Sequence, residues 1–220
     1  MADTFRWSTA FKIARREARA SRAKFLFVVL AVAAGVGSLT GVRGFSTSFR
    51  NMLLRDARTL MAADLSARIF GLPTNRQLAA IRRLESRGVQ STGVTETITM
   101  VSSPAVPDPV LVSLKAVDPN VYPFYGTVKL NPARPLSAAL NAQTIVVSND
   151  LFLRLKVNVG DTVRAGGQDF RIAALVETEP DRMSGTLNVG PRVMINREGL
   201  DRTGLIRPGS RAAKRFMFRL

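Results

Sequence analysis

The densest group of residues able to do chemistry in this chain is the acidic set Glu177, Glu179 and Asp181. Carboxylates spaced this closely supply oxygens for a hard cation such as calcium, but the spacing matches no EF-hand loop. Pro180 and Gly185 mark the stretch as a turn region, so the preferred reading is a solvated acidic loop. The many serines have no imidazole to activate them, because the chain contains no histidine. That composition excludes Ser-His-Asp triads, histidine acid/base catalysis and histidine metal sites. Cysteine is also absent, which excludes disulfides and thiol chemistry. No GxxxxGK[ST] segment cradles a nucleotide phosphate, and Gly35-Val36-Gly37 lies inside an apolar run where a nucleotide loop has no place. The expectation is a non-enzymatic protein with no catalytic residue, no metal site and no cofactor.

Cationic residues offer a different chemistry. The formal charge is +16 and the pI about 11.6, values that first suggest nucleic acid. The charge is not gathered into one basic run, however, and no aromatic-basic stacking pattern accompanies it, so no nucleic-acid partner is predicted. Residues 1–24 hold seven Lys/Arg against two acids. Phe5 to Arg19 reads as a helix with Trp7, Phe11, Ala14 and Ala18 on one face. Lys12, Arg15, Arg16, Arg19, Arg22 and Lys24 take much of the remainder, which makes them candidates for contact with an anionic membrane surface. The alternative is a solvated basic segment at the start of a signal peptide.

The element that organises these charges is Phe25 to Val42, eighteen uncharged residues between Lys24 and Arg43. As a helix it covers about 27 Å, close to the hydrocarbon thickness of a bilayer. Within fifteen residues of each end, six Lys/Arg lie on the head side and three on the far side. That asymmetry puts the N-terminus in the cytoplasm and residues 43–220 outside. Two alternatives stand beside a retained transmembrane helix. One is a cleaved signal peptide, whose small-x-small site Ala31-Val32-Ala33 would fall inside the apolar run. The other is a core helix of a soluble protein. Ala33, Gly37 and Gly41 recur every four residues, a spacing that lets another membrane helix approach closely, although small residues are frequent in membrane helices generally.

Beyond the span, Phe45, Phe49, Met52, Leu53 and Leu60 fall on one stripe, and the helix is expected to continue to about Met61. Asp64 to Phe70 alternates as a strand, and Asn75 to Arg87 reads as a helix with Leu78, Ile81 and Leu84 facing inward. A β-rich run around Val94 to Met100 is closed by the proline-rich 104–109 and pairs with a strand over Val110 to Val117. Thr144 to Val147 is a strand, and Ser148 caps a short helix after it. Thr162 to Ala165 and Asp169 to Val176 form a hairpin over Gly166-Gly167. A strand at Arg192 to Ile195, a helix near Glu198 to Asp201 and a basic-apolar segment ending at Leu220 complete an α+β domain.

This arrangement resembles the N-terminal part of an FtsX-like (MacB-type) ABC transporter permease, in particular its YbbP-like branch. The resemblance rests on RREARASRAK (Arg15 to Lys24) leading into the first span, on IVVSNDLFLRLKVNVGDTVRAGGQDFRIAALVETEPDR (Ile145 to Arg182), on PRVMIN, and on Gly199 to Leu220. It implies an interfacial helix and one transmembrane helix followed by a MacB-like periplasmic α+β domain at the inner membrane. It also implies a cytoplasmic ABC ATPase as partner, a second permease copy or further permease spans, and export or the handling of lipids or lipoproteins. Arg15, Arg16 and Arg19 then become candidates to face the ATPase. Such permeases carry several spans, so the remaining ones are expected beyond Leu220 or on another polypeptide. A non-enzymatic binding module that meets acidic partners through its arginines is the alternative.

Overall fold

The computed structural model describes residues 7–20, 22–182 and 189–220. The chain divides into two units, Met1–Arg55 and Asp56–Leu220.

The first unit is helical. Helix α1, Trp7–Ala20, carries the predicted cationic flank, and Lys12, Arg15, Arg16 and Arg19 are all exposed. Phe5 and the side chains of Trp7 and Ala18, three positions of the expected pattern, lie outside the described residues. Helix α2, Arg22–Met61, includes the whole apolar run and continues past it, as the stripe of aromatic and aliphatic residues predicts. Its stretch Arg22–Leu53 is long and apolar enough to cross a membrane, and none of that stretch is buried. Two hydroxyls in it are satisfied internally: Thr40 donates to the Val36 carbonyl at 2.8 Å and Thr47 to the Arg43 carbonyl at 2.9 Å. That back-bonding leaves neither polar group dependent on water.

The second unit is built on a mixed sheet. Its strands are β1 (Leu65–Phe70), β2 (Gln90–Ser103), β3 (Val106–Val117), β4 (Lys129–Asn131), β5 (Thr144–Ser148), β6 (Thr162–Ala165), β7 (Gln168–Thr178), β8 (Arg192–Asn196) and β9 (Ala213–Arg219). They run in the order β1-β9-β2-β3-β8-β5-β7-β4. Strand β6 pairs with both β7 and β2, so the circuit β2-β3-β8-β5-β7-β6 closes on itself. The pairs β3–β8 and β5–β7 are parallel, and the other pairs are antiparallel. Helices α3 (Asn75–Glu85), α4 (Leu136–Ala139), α5 (Asn149–Leu155) and α6 (Arg197–Thr203) lie between the strands in sequence.

Strand side chains alternate between faces, and here each face has its own core. Val112, Leu114, Ile145, Val147, Val193 and Ile195 pack on one face with Leu151 and Leu155 of α5. Val94, Val117, Val146, Met194 and Met217 pack on the other with Ala62, Ala63 and Tyr122. Strands read as continuous apolar runs, such as β5, are therefore buried on both sides.

Several local expectations shift. The proline-rich 104–109 is not a closing loop throughout, because β3 starts at Val106 and contains Pro107 and Pro109. These prolines sit beside an irregular register between Val101 and Ser103, where missing amide donors are tolerated. Ser148 occupies the N-cap of α5 but makes no capping bond, and its hydroxyl instead accepts the Arg192 amide at 3.1 Å. Helix α3 buries no residue fully: Leu78 and Ile81 are half-buried, and Leu84 is exposed. It begins with a capping box between Thr74 and Gln77. The terminal basic-apolar segment is the internal strand β9, between β1 and β2. The hairpin over Gly166-Gly167 forms as read, with φ of 55° and 78° at the two glycines, the sign that a tight two-residue turn demands.

Candidate functional site

Charge is the chemistry this chain has, and the structure gathers it in three places. The first is the head. Lys12, Arg15, Arg16, Arg19, Arg22 and Lys24 all point into open space, which leaves them available to lipid phosphates or an acidic protein surface. In the run that follows, nothing lies within 4 Å of where a Cβ would stand at Gly37 or Gly41, and Ala33 is exposed. The small-residue stripe is therefore open to a neighbouring helix.

The second place is inside the second unit and overturns the reading of a solvated acidic loop. Glu177 is exposed at the end of β7, but Glu179 and Asp181 are buried. The neighbouring strands β9, β2, β3 and β8 direct Arg215, Glu96, Lys115 and Arg192 towards them from one sheet face. The register explains the grouping: Glu96 stands opposite Lys115, and Ser113 opposite Arg192. Lys115 Nζ donates to Glu179 Oε1 at 2.6 Å, to Asp181 Oδ1 at 2.7 Å and to the Tyr122 hydroxyl at 2.7 Å. Arg192 donates to Glu179 Oε2 at 3.1 Å and to the Ser113 hydroxyl at 2.7 Å. Arg215 pairs with Asp181, and Tyr122 donates its hydroxyl hydrogen to the same carboxylate. Three cations thus face three carboxylates, Glu96 included. Among the described residues no group of three or more acidic, histidine or cysteine side chains is placed to hold a metal ion.

Burial pushes the Tyr122 phenol well above its ordinary 10.0, reinforced by the charges of Asp181 and Glu179, so it stays a hydrogen donor. For Asp181 burial acts upwards, but Lys115 and Arg215 outweigh it and hold the carboxyl below 3.8. A depressed carboxyl contributes stability above its unfolded pKa and loses it as pH falls through the folded one. The second unit should therefore hold a constant urea midpoint from neutral pH down to about 5 and weaken progressively below 3.8. A midpoint unchanged at pH 2.5 would contradict the pairing.

The third place is where α2 ends. Ala62, at φ 54°, turns the chain out of the helix, and Ala62 and Ala63 are fully buried. The Asp64 amide donates to the Phe218 carbonyl at 2.9 Å, and the Phe124 amide to the Ala62 carbonyl at 3.2 Å. The Asp64 carboxylate accepts from the Leu220 amide at 3.0 Å and the Tyr125 hydroxyl at 2.8 Å, and forms an ion pair with Arg58 Nε at 2.9 Å. These bonds, led by the Leu220 amide, depress its pKa and add to the same acid response. The first and last strands of the domain thus meet at one carboxylate.

Sequence reasoning missed the buried cluster because Lys115, Arg192 and Arg215 look like the solvated half of alternating strands. The available signal was their coincidence, since three strands each carry a cation among large apolar residues.

The chain matches the MacB-like periplasmic core domain over residues 25–219. Over 196 residues it is 30% identical to an uncharacterised ABC transporter permease, YbbP, of Escherichia coli K12. That stretch takes in 88% of this chain but 23% of the relative, so the chain spans about a quarter of the relative's length. Two solved structures are looser likenesses, each 13% identical. The periplasmic region of MacB from Actinobacillus actinomycetemcomitans has a TM-score of 0.47, over 76% of this chain and 79% of that one. The extracellular domain of the noncanonic ABC-type transporter YknZ from Gram-positive bacteria has a TM-score of 0.45, over 69% and 82%. The family match runs from the first residue of the apolar run to the end of β9, and by it the chain belongs to the family of MacB-like periplasmic core domains.

Proposed function

We propose that the chain is the N-terminal part of an ABC transporter permease of the YbbP-like branch, passing ATP-driven motion from a separate cytoplasmic ATPase to an extracytoplasmic domain. In this reading residues 1–24 form a cytoplasmic interfacial helix, 25–42 the first span and 43–220 the outer domain. Lys12 to Lys24 meet lipid headgroups and the ATPase, and Ala33, Gly37 and Gly41 meet another span or a second permease copy. The output serves export or the handling of lipids or lipoproteins.

The observation that carries the proposal is α2, which holds the apolar run and the C-terminal turns leading to Asp64 in one uninterrupted helix. Where the helix ends, the main chain of Ala62 to Asp64 is bonded to β9 and to Phe124. The buried ion cluster then keeps the receiving sheet face from deforming, because breaking it would strand charges away from water.

The natural absence of cysteine makes the topology testable with single introduced thiols. In intact spheroplasts a membrane-impermeant maleimide should label Ser86→Cys and spare Glu17→Cys, both exposed positions. Labelling of Glu17→Cys alone would reverse the orientation. Replacing both Leu30 and Val36 by arginine should cost insertion about 2.5–3.5 kcal/mol each and release the chain into an alkaline carbonate supernatant. Retention of that double variant in the pellet would remove the span from the argument. Co-purification with an ABC ATPase in mild detergent tests the coupling.

A further inference from the structure

Helix α3 has two sides of opposite chemistry. Leu78 and Ile81 face the sheet, where they line a cavity with Phe216 of β9, and the carboxylates of Glu85 and Asp118 lie on that same inner side. Arg76 and Arg83 stand seven residues apart on the other side of the helix. Arg87 follows four residues later, in the closing turn where its amide bonds the Leu84 carbonyl at 3.0 Å, so the three arginines make one stripe. All three are exposed, and among the described residues none of them makes a salt bridge. The excess extends beyond the stripe, because Leu65 to Thr95 contains five arginines and one acid, Glu85. That glutamate is already engaged, accepting the Ser91 hydroxyl at 2.5 Å.

Large apolar side chains stand bare in the chain that leads into this helix. Phe70 ends β1 at 74% exposure, and Leu72 follows at 54%, two residues before the Thr74 that caps α3. A solvated cationic face needs no aromatic or aliphatic neighbours in water. Guanidinium groups next to bare apolar side chains match the boundary between lipid headgroups and acyl chains, where phosphates meet the cations and the apolar groups leave water. Residues 54–69 alone separate Phe70 from Leu53, the end of the membrane-compatible stretch of α2. A bilayer crossed by α2 is therefore a tethered neighbour at high effective concentration, which a free acidic protein is not.

We propose that this surface rests on the anionic membrane that α2 crosses, with Arg76, Arg83 and Arg87 on lipid phosphates and Phe70 and Leu72 in the headgroup layer. The contact rests on the reading of α2 as a span, and the two are separable by experiment.

The natural chain has no cysteine, so a single introduced thiol carries an environment-sensitive NBD label without ambiguity. The full chain with Leu72→Cys is reconstituted into vesicles of phosphatidylcholine, with or without phosphatidylglycerol, and quenched by spin-labelled phosphatidylcholine. Quenching at Leu72→Cys should be about twofold or more stronger in the anionic vesicles, and high salt should weaken it by screening. Adding Arg76→Gln/Arg83→Gln/Arg87→Gln should return it to the level of the zwitterionic vesicles. Leu153→Cys on α5, a leucine with 65% exposure, should stay unquenched in both and so control for label stickiness. Val36→Cys, inside the apolar run, should be quenched in both whatever the lipid charge. Val36→Cys quenched with Leu72→Cys unquenched would overturn the surface contact and leave the span standing. An unquenched Val36→Cys would remove the span and the contact with it. Quenching at Leu72→Cys that survives the triple arginine replacement would also overturn the proposal. So would soluble polyglutamate shifting the label's emission while anionic vesicles leave it unquenched, a result that would assign the stripe to an acidic protein.

Discussion

Lys115→Met is expected to destabilise the sheet domain, Asp56–Leu220, by about 3–5 kcal/mol, the cost of leaving buried charge without its partner. Lys115 is fully buried, and its ammonium is the group that touches both Glu179 and Asp181. Methionine matches its length and fills the same space, so the change isolates the charge from the packing. What remains is three carboxylates facing Arg192 and Arg215, with the Tyr122 hydroxyl deprived of the donor at 2.7 Å that it accepts from. Tyr122 and Tyr125 are the only tyrosines in the chain, and both lie in this domain, so tyrosine near-ultraviolet dichroism follows its unfolding directly. At about 2–4 °C per kcal/mol, Tm should fall by roughly 6–20 °C. Adding Glu179→Gln removes one of the stranded charges and should recover part of the loss, a coupling of about 1–3 kcal/mol. A single variant within 1 kcal/mol of wild type would mean that the cluster is solvated and structurally idle.

The elements of this fold were legible where apolar periodicity was strong. The helix through the apolar run, the strand at Val193, the hairpin at Gly166-Gly167 and the α+β class all follow from pattern and turn chemistry. Two features were not legible, for related reasons. A lysine or arginine in a strand reads as solvent-facing because an isolated buried charge is prohibitively costly. That inference fails when several strands place opposite charges on one face, a property of register and strand order that no local window contains. Strand β9 was obscured by Lys214, Arg215 and Arg219, of which Arg215 is buried. The same long-range grouping turned Glu179 and Asp181 from a loop into an anchor, while Glu177, two residues earlier, stayed where local polarity put it. The clamp at Asp64 was equally invisible, since its partners come from residues 58, 125 and 220.

Gly190→Ala is the second change expected to be severe, and it acts through shape instead of charge. Gly190 has φ +77°, a conformation that costs a non-glycine residue about 1–2 kcal/mol. A Cβ there would stand 2.5 Å from the Leu111 carbonyl oxygen. That oxygen belongs to the backbone of β3, opposite Met100 in the hairpin with β2, so it cannot rotate away as a side chain would. Immediately afterwards the Pro191 carbonyl accepts the Ser113 amide at 2.9 Å, which sets the parallel register of β8 and the approach of Arg192 to Glu179. Relieving the clash must shift that entry, adding about 1–3 kcal/mol to the dihedral cost. Gly209→Ala is the matched control: its φ is +88°, but nothing lies within 4 Å of its Cβ, so it should lose the dihedral part alone. Equal losses at the two positions would show that close approach to β3 contributes nothing. The two severe variants should also separate by pH. The loss from Lys115→Met should shrink as acid neutralises the stranded carboxylates, whereas the loss from Gly190→Ala should not change, because a steric contact carries no proton. The chain leaving β7 is thus held by charge and the chain entering β8 by fit, and either hold should be removable without the other.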